Sequence, residues 1–421
     1  MIKEKKLYSR ALYLFGILAP MLIINVFSTT MYVWGILLLG CMALGEWIWQ
    51  GRIKVLRNRE KAFTAVVITW VISYVICALR MPAQWKNGIV TSFIQLCFLL
   101  VVYIFFDSKN RIGYLIYYIK GVYISAIIQM IWGYAQLLFD MLGMDLNSLV
   151  FKDILHMMGE YTTQYQFGRL KVSGMCWNAG NLAPLVTFGY IYSNNMYLKG
   201  AFLILGFISG SRTLMLGLIV CVILQFMLAK NRRRMRLTSK KLVFGLLGTG
   251  VLFVVIVKYG NAIVEKVIEL SDLLNLKERV KTEGSANTHL YYLTSIPAVT
   301  RKNDLLSNLF GYGPGCSGYP QSVLMNFYPD LEKWSIECDY VNQLWSYGYI
   351  GFVVYYYWYI KNAVRTFKLD KRYVVLMLTF MFEGILYNIT FNWVFFLLIA
   401  IFLLGKNKIN IFATAMNGKE E

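Results

Sequence analysis

Arg212 stands in Ser209-Gly-Ser-Arg-Thr213, only 13 residues beyond Lys199. That is about 20 Å of helix, short of the roughly 30 Å needed to cross a hydrocarbon core. A guanidinium at that depth is costly and marks a functional site; Gly206 and Gly210 would let the helix break and open a cavity around it. The alternative is an arginine snorkelling to the outer headgroups. Upstream, Gly168-Arg-Leu-Lys-Val-Ser-Gly-Met-Cys-Trp-Asn-Ala-Gly-Asn181 supplies cations from Arg169 and Lys171. Ser173, Asn178 and Asn181 add hydroxyl and amide groups suited to sugars, or a turn followed by a helix cap at Gly180 or Asn181. Downstream, Lys277-Glu-Arg-Val-Lys281 offers Arg279 and Lys281, which would clamp a diphosphate because Arg matches phosphate oxygens bidentately. Solvated loop charge is the other reading of the pair. His289 closes the same stretch, and the only other histidine is His156. Leu309-Phe-Gly-Tyr-Gly-Pro-Gly315, which contains Tyr312, has no GKS or GKT after it and reads as a tight turn, not a phosphate loop. Glu383 is a carboxylate inside an apolar run, expected to face a cavity instead of lipid, or to partner a neighbouring helix.

The elements that must position these groups are apolar helices. Of 421 residues, 58% are hydrophobic and 15% charged, against about 25% charged in soluble domains. The chain therefore reads as one polytopic, all-α integral membrane domain over 1–421. Spans are expected near 8–27, 30–49, 62–79, 88–106, 113–139, 179–193, 200–211, 212–229, 242–258, 340–360, 373–388 and 391–404, twelve in all. The apolar start is a retained span, because no small-residue cleavage pattern follows it. The net charge of +20 comes from 42 Lys and Arg that lie in blocks between apolar runs, most of them in segments that are cytoplasmic if the N-terminus is inside. By the positive-inside rule both termini are cytoplasmic. The cluster Lys230-Asn-Arg-Arg-Arg-Met-Arg236 is a topology anchor on anionic lipid, and no nucleic-acid partner is implied. Seven cysteines stand singly without metal-ligand spacing, so no metal site and no cofactor are expected. Cys316 and Cys338 share one long loop, which leaves a disulfide between them open. Two connections, 140–178 and 258–339, are too long for simple turns and fall on the extracytoplasmic face, where function is expected. No inverted repeat of the transporter kind is evident.

The Ser-Arg pair at 211–212, the segment Gly174-Met-Cys-Trp-Asn178-Ala-Gly-Asn181, and Phe310-Gly-Tyr-Gly-Pro-Gly315 together with Glu337 to Gly351 in one large loop resemble the O-antigen polymerase and ligase superfamily, the Wzy type in particular, over roughly residues 165–355. The resemblance implies a GT-C-type glycosyltransferase in the bacterial plasma membrane. It would use polyprenyl-diphosphate-linked oligosaccharides as donor and acceptor, without a metal ion, alongside a chain-length regulator protein. The family's paired arginines would map to Arg212 and Arg279. Where ligases carry a catalytic His, this chain has Glu337-Cys338 with Asp339 beside it, and His289 stands where a further family Arg is expected. A carboxylate thus becomes the candidate base: Glu337, with Asp339 capping the helix that starts at Tyr340, and His289 next in line. The competing readings are ligase-type transfer of a finished glycan to a lipid or protein, and a lipid-linked oligosaccharide flippase.

Overall fold

A computed structural model of the chain describes residues 2–26, 29–50, 61–80, 112–157, 164–166, 169–230, 291–326, 336–388 and 393–414. These residues are mostly helical. In chain order the helices are α1 (Ile2–Leu18), α2 (Met31–Gln50), α3 (Lys61–Arg80), α4 (Tyr114–Met141), α5 (Ala179–Tyr192), α6 (Met196–Ile208), α7 (Arg212–Lys230), α8 (Ile296–Lys302), α9 (Leu305–Phe310), α10 (Asp339–Phe367), α11 (Arg372–Leu386), α12 (Trp393–Lys406) and α13 (Ile411–Thr414). Among the described residues the strands form two small ribbons. Asn25–Val26 pairs with Thr29–Thr30, and Gln164–Gln166 pairs with Arg169–Lys171, both antiparallel. The expected spans 88–106 and 242–258 lie outside the described residues.

Helices α3 and α4 are long and apolar enough to cross a membrane. Helix α1 stops at Leu18, well before the expected end at 27, because Pro20 cannot continue a helix and disfavours helical backbone at the residue before it. Helices α11 and α12 are separate, as the reading of two spans requires. All 14 residues of α5 are buried, so this helix is a core element packed on every side.

Side-chain pairs fix how the helices run. Phe63 packs on Trp358 and Trp70 on Tyr347, and the Ser73 hydroxyl donates to the Ser346 carbonyl; α3 and α10 are therefore antiparallel. Asn178 bonds Tyr387 and Thr187 bonds Glu383, while Arg372 reaches Asn194, which makes α5 and α11 antiparallel too. One end of this group carries Arg80, Asn178 and Tyr387, with Glu337 within electrostatic reach of Tyr387, and is called the loop end. The other carries Lys361, Arg365, Lys368, Lys371 and Arg372 and is basic. There Arg372 holds Asp370 at 2.8 Å and stacks over Phe412 of α13.

The span expected at 340–360 is not continuous. Gly348 takes φ 67°, inside α10, and its conformation suits glycine alone. In a straight helix residues 340 and 356 would be about 24 Å apart, yet the rings of Tyr340 and Tyr356 stack with centroids 5.2 Å apart. The two arms thus fold toward each other about Gly348. The break frees carbonyls, and the glycine-rich turn accepts the task of satisfying them. Tyr312 N–H donates to the Trp345 carbonyl at 2.7 Å and Gly313 N–H to that of Ser346 at 2.9 Å. A Cβ on Gly348 would strike the backbone of Leu309 and Phe310. Gly348→Ala is therefore expected to lower the unfolding midpoint in detergent, with a backbone strain of about 1–3 kcal/mol plus the collision. An unchanged midpoint would show that α10 does not need the bend.

At the loop end Arg80 grips Asp304 through two nitrogens, at 2.8 and 3.1 Å, and Asp304 caps α9 by accepting the Ser307 N–H. The Arg80 bonds, with those from Ser307, hold the Asp304 carboxyl well below the usual carboxylate range. A group whose pKa is depressed on folding contributes stability above its unfolded value, about 3.9, and loses it as pH falls further. The pair is 39% and 50% exposed, which limits it to at most about 1 kcal/mol. The gap in unfolding midpoint between wild type and Asp304→Asn should be constant above about pH 5 and close as pH drops below about 4. A gap that ignores pH would remove the ion pair from the account.

Candidate functional site at the loop end

The segment 172–178 is held from four sides. Its Gly174 and Met175 N–H groups donate to Gln136 and Gln129 of α4, the Asn147 amide donates to the Gly174 carbonyl, and Ile23 N–H donates to the Met175 carbonyl. Val172 N–H donates to the Ser209 carbonyl at 2.9 Å, which joins this segment to the turn before α7. The segment ends at Asn178, the N-cap of α5: its side chain accepts the Asn181 N–H at 2.9 Å while its amide donates to the Tyr387 hydroxyl at 3.0 Å. Tyr387 also meets the Asn181 amide and lies within electrostatic reach of Glu337. Glu337 itself is exposed.

Arg212 opens α7, behind a turn in which the Ser209 hydroxyl accepts the Ser211 N–H and the Ser211 hydroxyl accepts the Leu214 N–H. Arg169 and Arg212 are described as backbone only, and Arg279, Lys281 and His289 lie outside the described residues. Lys171, half-buried, is one residue from the Val172–Ser209 bond. The first turns of α5 and α7 therefore open on one end of the helix group, each presenting the positive end of its dipole.

Several expected residues sit elsewhere or act otherwise. Tyr312, expected to contact substrate, is 5% exposed and donates its hydroxyl to Asn303. Burial pushes its phenol up to about 12; it supports the glycine-rich turn. Asp339 is not the cap of the following helix. The N-cap position belongs to Cys338, which makes no side-chain hydrogen bond to the helix, because the helix begins one residue earlier than expected. Asp339 is buried and instead lines a small cavity with Tyr340, Tyr355, Tyr356, Tyr359 and Gly384, with the Tyr356 hydroxyl 3.5 Å from its carboxylate. Cys316 touches Cys77 of α3 and packs with it and Tyr312, whereas Cys338 belongs to a different cluster. Among the described residues no group of His, Cys, Asp and Glu could hold a metal ion.

Glu383 faces away from lipid, as expected, but into packing. It is fully buried, accepts the Thr187 hydroxyl at 2.7 Å, and fills the space left by the absent side chain of Gly217. Gly217→Val should collide with the carboxyl and cost about 1–3 kcal/mol of stability by overpacking, read as a lower unfolding midpoint. A midpoint equal to wild type would place the carboxyl elsewhere.

Two residues beyond those singled out from the sequence belong to this end. Tyr387 follows directly on an apolar run and next to Asn388, a place where only its contacts give it meaning. Trp177 was visible inside the Gly174–Asn181 motif, but its conformation was not. No family model matches the chain, and no curated protein matches it.

Proposed function

We propose that the chain is an integral-membrane glycosyltransferase that polymerises lipid-diphosphate-linked oligosaccharide repeat units into O-antigen, capsular or exopolysaccharide. In this reading it spans the bacterial plasma membrane twelve times with both termini cytoplasmic, and the loop end is extracytoplasmic. The observation that carries the reading is the joining of the 172–178 segment to the turn before Arg212 through the Val172–Ser209 bond, with Asn178 tied to Tyr387 and Glu337 within electrostatic reach of that tyrosine.

Outside the cytosol no nucleotide sugar is at hand, so the leaving group has to travel with the donor as a polyprenyl diphosphate. Helix N-termini and guanidinium groups suit that anion. The acceptor hydroxyl oxygen attacks the donor's C1, the C1–O bond to the diphosphate breaks, and the bond's electron pair leaves with the diphosphate. Arg212 and Arg279 neutralise the departing charge. Glu337, exposed and within electrostatic reach of Tyr387, takes the hydroxyl proton. Displacement from the opposite face inverts the donor's anomeric carbon. In this reading Asn178, Asn181, Lys171 and Arg169 bind the glycan and its phosphate.

The test in cells is deletion. Loss of the protein should leave single repeat units on polyprenyl diphosphate, facing outward, with no long polymer. Repeat units trapped on the cytoplasmic leaflet would indicate a flippase, and long polymer lacking only its final attachment would indicate ligase-type transfer. Labelling of a single engineered cysteine at 305 from outside intact cells, with position 235 protected, is expected from the same topology.

A further inference from the structure

Trp177 is the most strained bulky residue near the loop-end site. It has φ 70°, a left-handed conformation that is a genuine outlier for a large side chain. The N–H of Asn178 donates back to the carbonyl of Cys176 at 2.9 Å, so Trp177 is the central residue of a γ-turn of the rare, strained hand. Both flanks are fixed. Cys176 is fully buried and its N–H donates to Ser173, while Asn178 is tied to Asn181 and Tyr387. Between these two anchored neighbours the indole is thrust outward and left 53% exposed. A chain that merely needed to connect the segment to α5 would place glycine there at no steric cost. Strain of this kind persists where the surrounding structure over-determines it and where a side chain must be aimed.

We propose that Trp177 is a carbohydrate-binding platform at the mouth of this site, its indole face stacking on the apolar C–H face of a pyranose ring of the acceptor glycan. The chemistry is complementary on both sides. A sugar ring presents axial C–H bonds on one face and hydroxyls around its rim. The indole would take the face, and the Asn178 amide, one residue away, would offer a rim hydroxyl the N–H it does not give to Tyr387. Trp177 is thus a binding residue for the acceptor, separate from the diphosphate and the base. The inference rests on the polymerase reading for its kinetic arm, but not for its binding arm.

The test uses the full-length protein in detergent and an oligosaccharide obtained by partial depolymerisation of the producing cell's own surface polysaccharide. Trp177→Ala and Trp177→Gly should both weaken binding of that oligosaccharide, by roughly three- to tenfold, the range expected for loss of one aromatic stack, while Trp177→Phe keeps part of it. In chain elongation the same variants should raise the acceptor KM and leave kcat within about threefold. Trp177→Gly should unfold at a higher temperature than Trp177→Ala, because both lack the ring and only glycine fits the backbone. If elongation is absent altogether, the polymerase reading falls while the oligosaccharide binding still decides the platform. Equal oligosaccharide binding by wild type and Trp177→Ala, or no binding by wild type, would overturn the proposal and leave Trp177 as an aromatic anchor at the membrane interface.

Discussion

Arg212→Lys is expected to lose chain elongation almost as completely as Arg212→Ala. A diphosphate leaving group is recognised by the flat fork of the guanidinium, which gives two parallel hydrogen bonds; an ammonium keeps the charge and loses that geometry. Loss of one such donor at a developing charge slows reactions by about 10²- to 10³-fold. The position is demanding for a second reason. Arg212 is the first residue of α7, behind a turn tied to Val172 by the Ser209 carbonyl, so under the proposed function the positive end of the helix dipole adds to the binding of an anion at this place. Arg279→Lys should lose less, because Lys281 stands two residues away and can substitute in part. A lysine variant at 212 that still makes long chains would reduce Arg212 to an interfacial anchor.

Glu337→Gln is expected to bind the lipid-linked donor normally and slow the chemical step by about 10²-fold or more. The amide cannot take the acceptor's proton, while the arginines proposed to bind the donor are untouched. Asp339→Asn should behave differently from both a base and a simple cap. Its carboxylate is buried among tyrosines at the start of α10, so the variant should lower stability by about 1–2 kcal/mol through loss of a charge near the helix N-terminus, with kcat falling far less than for Glu337→Gln. Single-turnover elongation and unfolding midpoints of the two proteins separate these effects. Full single-turnover rates with Glu337→Gln would move the role of base to Asp339 or His289.

Much of the helical layout was legible because it follows from apolar length alone. Runs of hydrophobic residues bounded by Lys and Arg mark α2 to α7 and the split between α11 and α12 to within a few residues. What escaped that reading depends on single residues. The early end of α1 turns on Pro20, which an apolar count passes over. The fold-back of α10 turns on Gly348, and only the pairing of its freed carbonyls with Tyr312 and Gly313 explains why the glycine-rich turn lies where it does. That turn is legible as a turn from its glycines; its hydrogen-bond partners, 33 residues away, are not, since no local pattern encodes them.

The candidate site was legible in part for the same reason. Asn178, Asn181 and Glu337 were picked out by type and by lying near predicted span ends, and they do meet at one end of the helix group. Asp339 was misassigned because a carboxylate before a helix resembles a cap, whereas the helix start shifted by one residue and gave that place to Cys338. Tyr312, a substrate-binding candidate from its place in the long loop, instead packs with Cys77 and Cys316. Tyr387 carried no signal, because a tyrosine at the end of an apolar run has many roles and only its bonds to Asn178 and Asn181 select one.

The most direct measurement gives the purified full-length protein, in liposomes, a synthetic polyprenyl-diphosphate-linked repeat unit without nucleotide or added metal. The account predicts a ladder of glycans growing by whole repeat units on lipid diphosphate, one polyprenyl diphosphate released per unit added, and inversion at each new linkage. Lipid-linked units that cross the bilayer unextended, or glycan that moves to a non-diphosphate acceptor without lengthening, would contradict it.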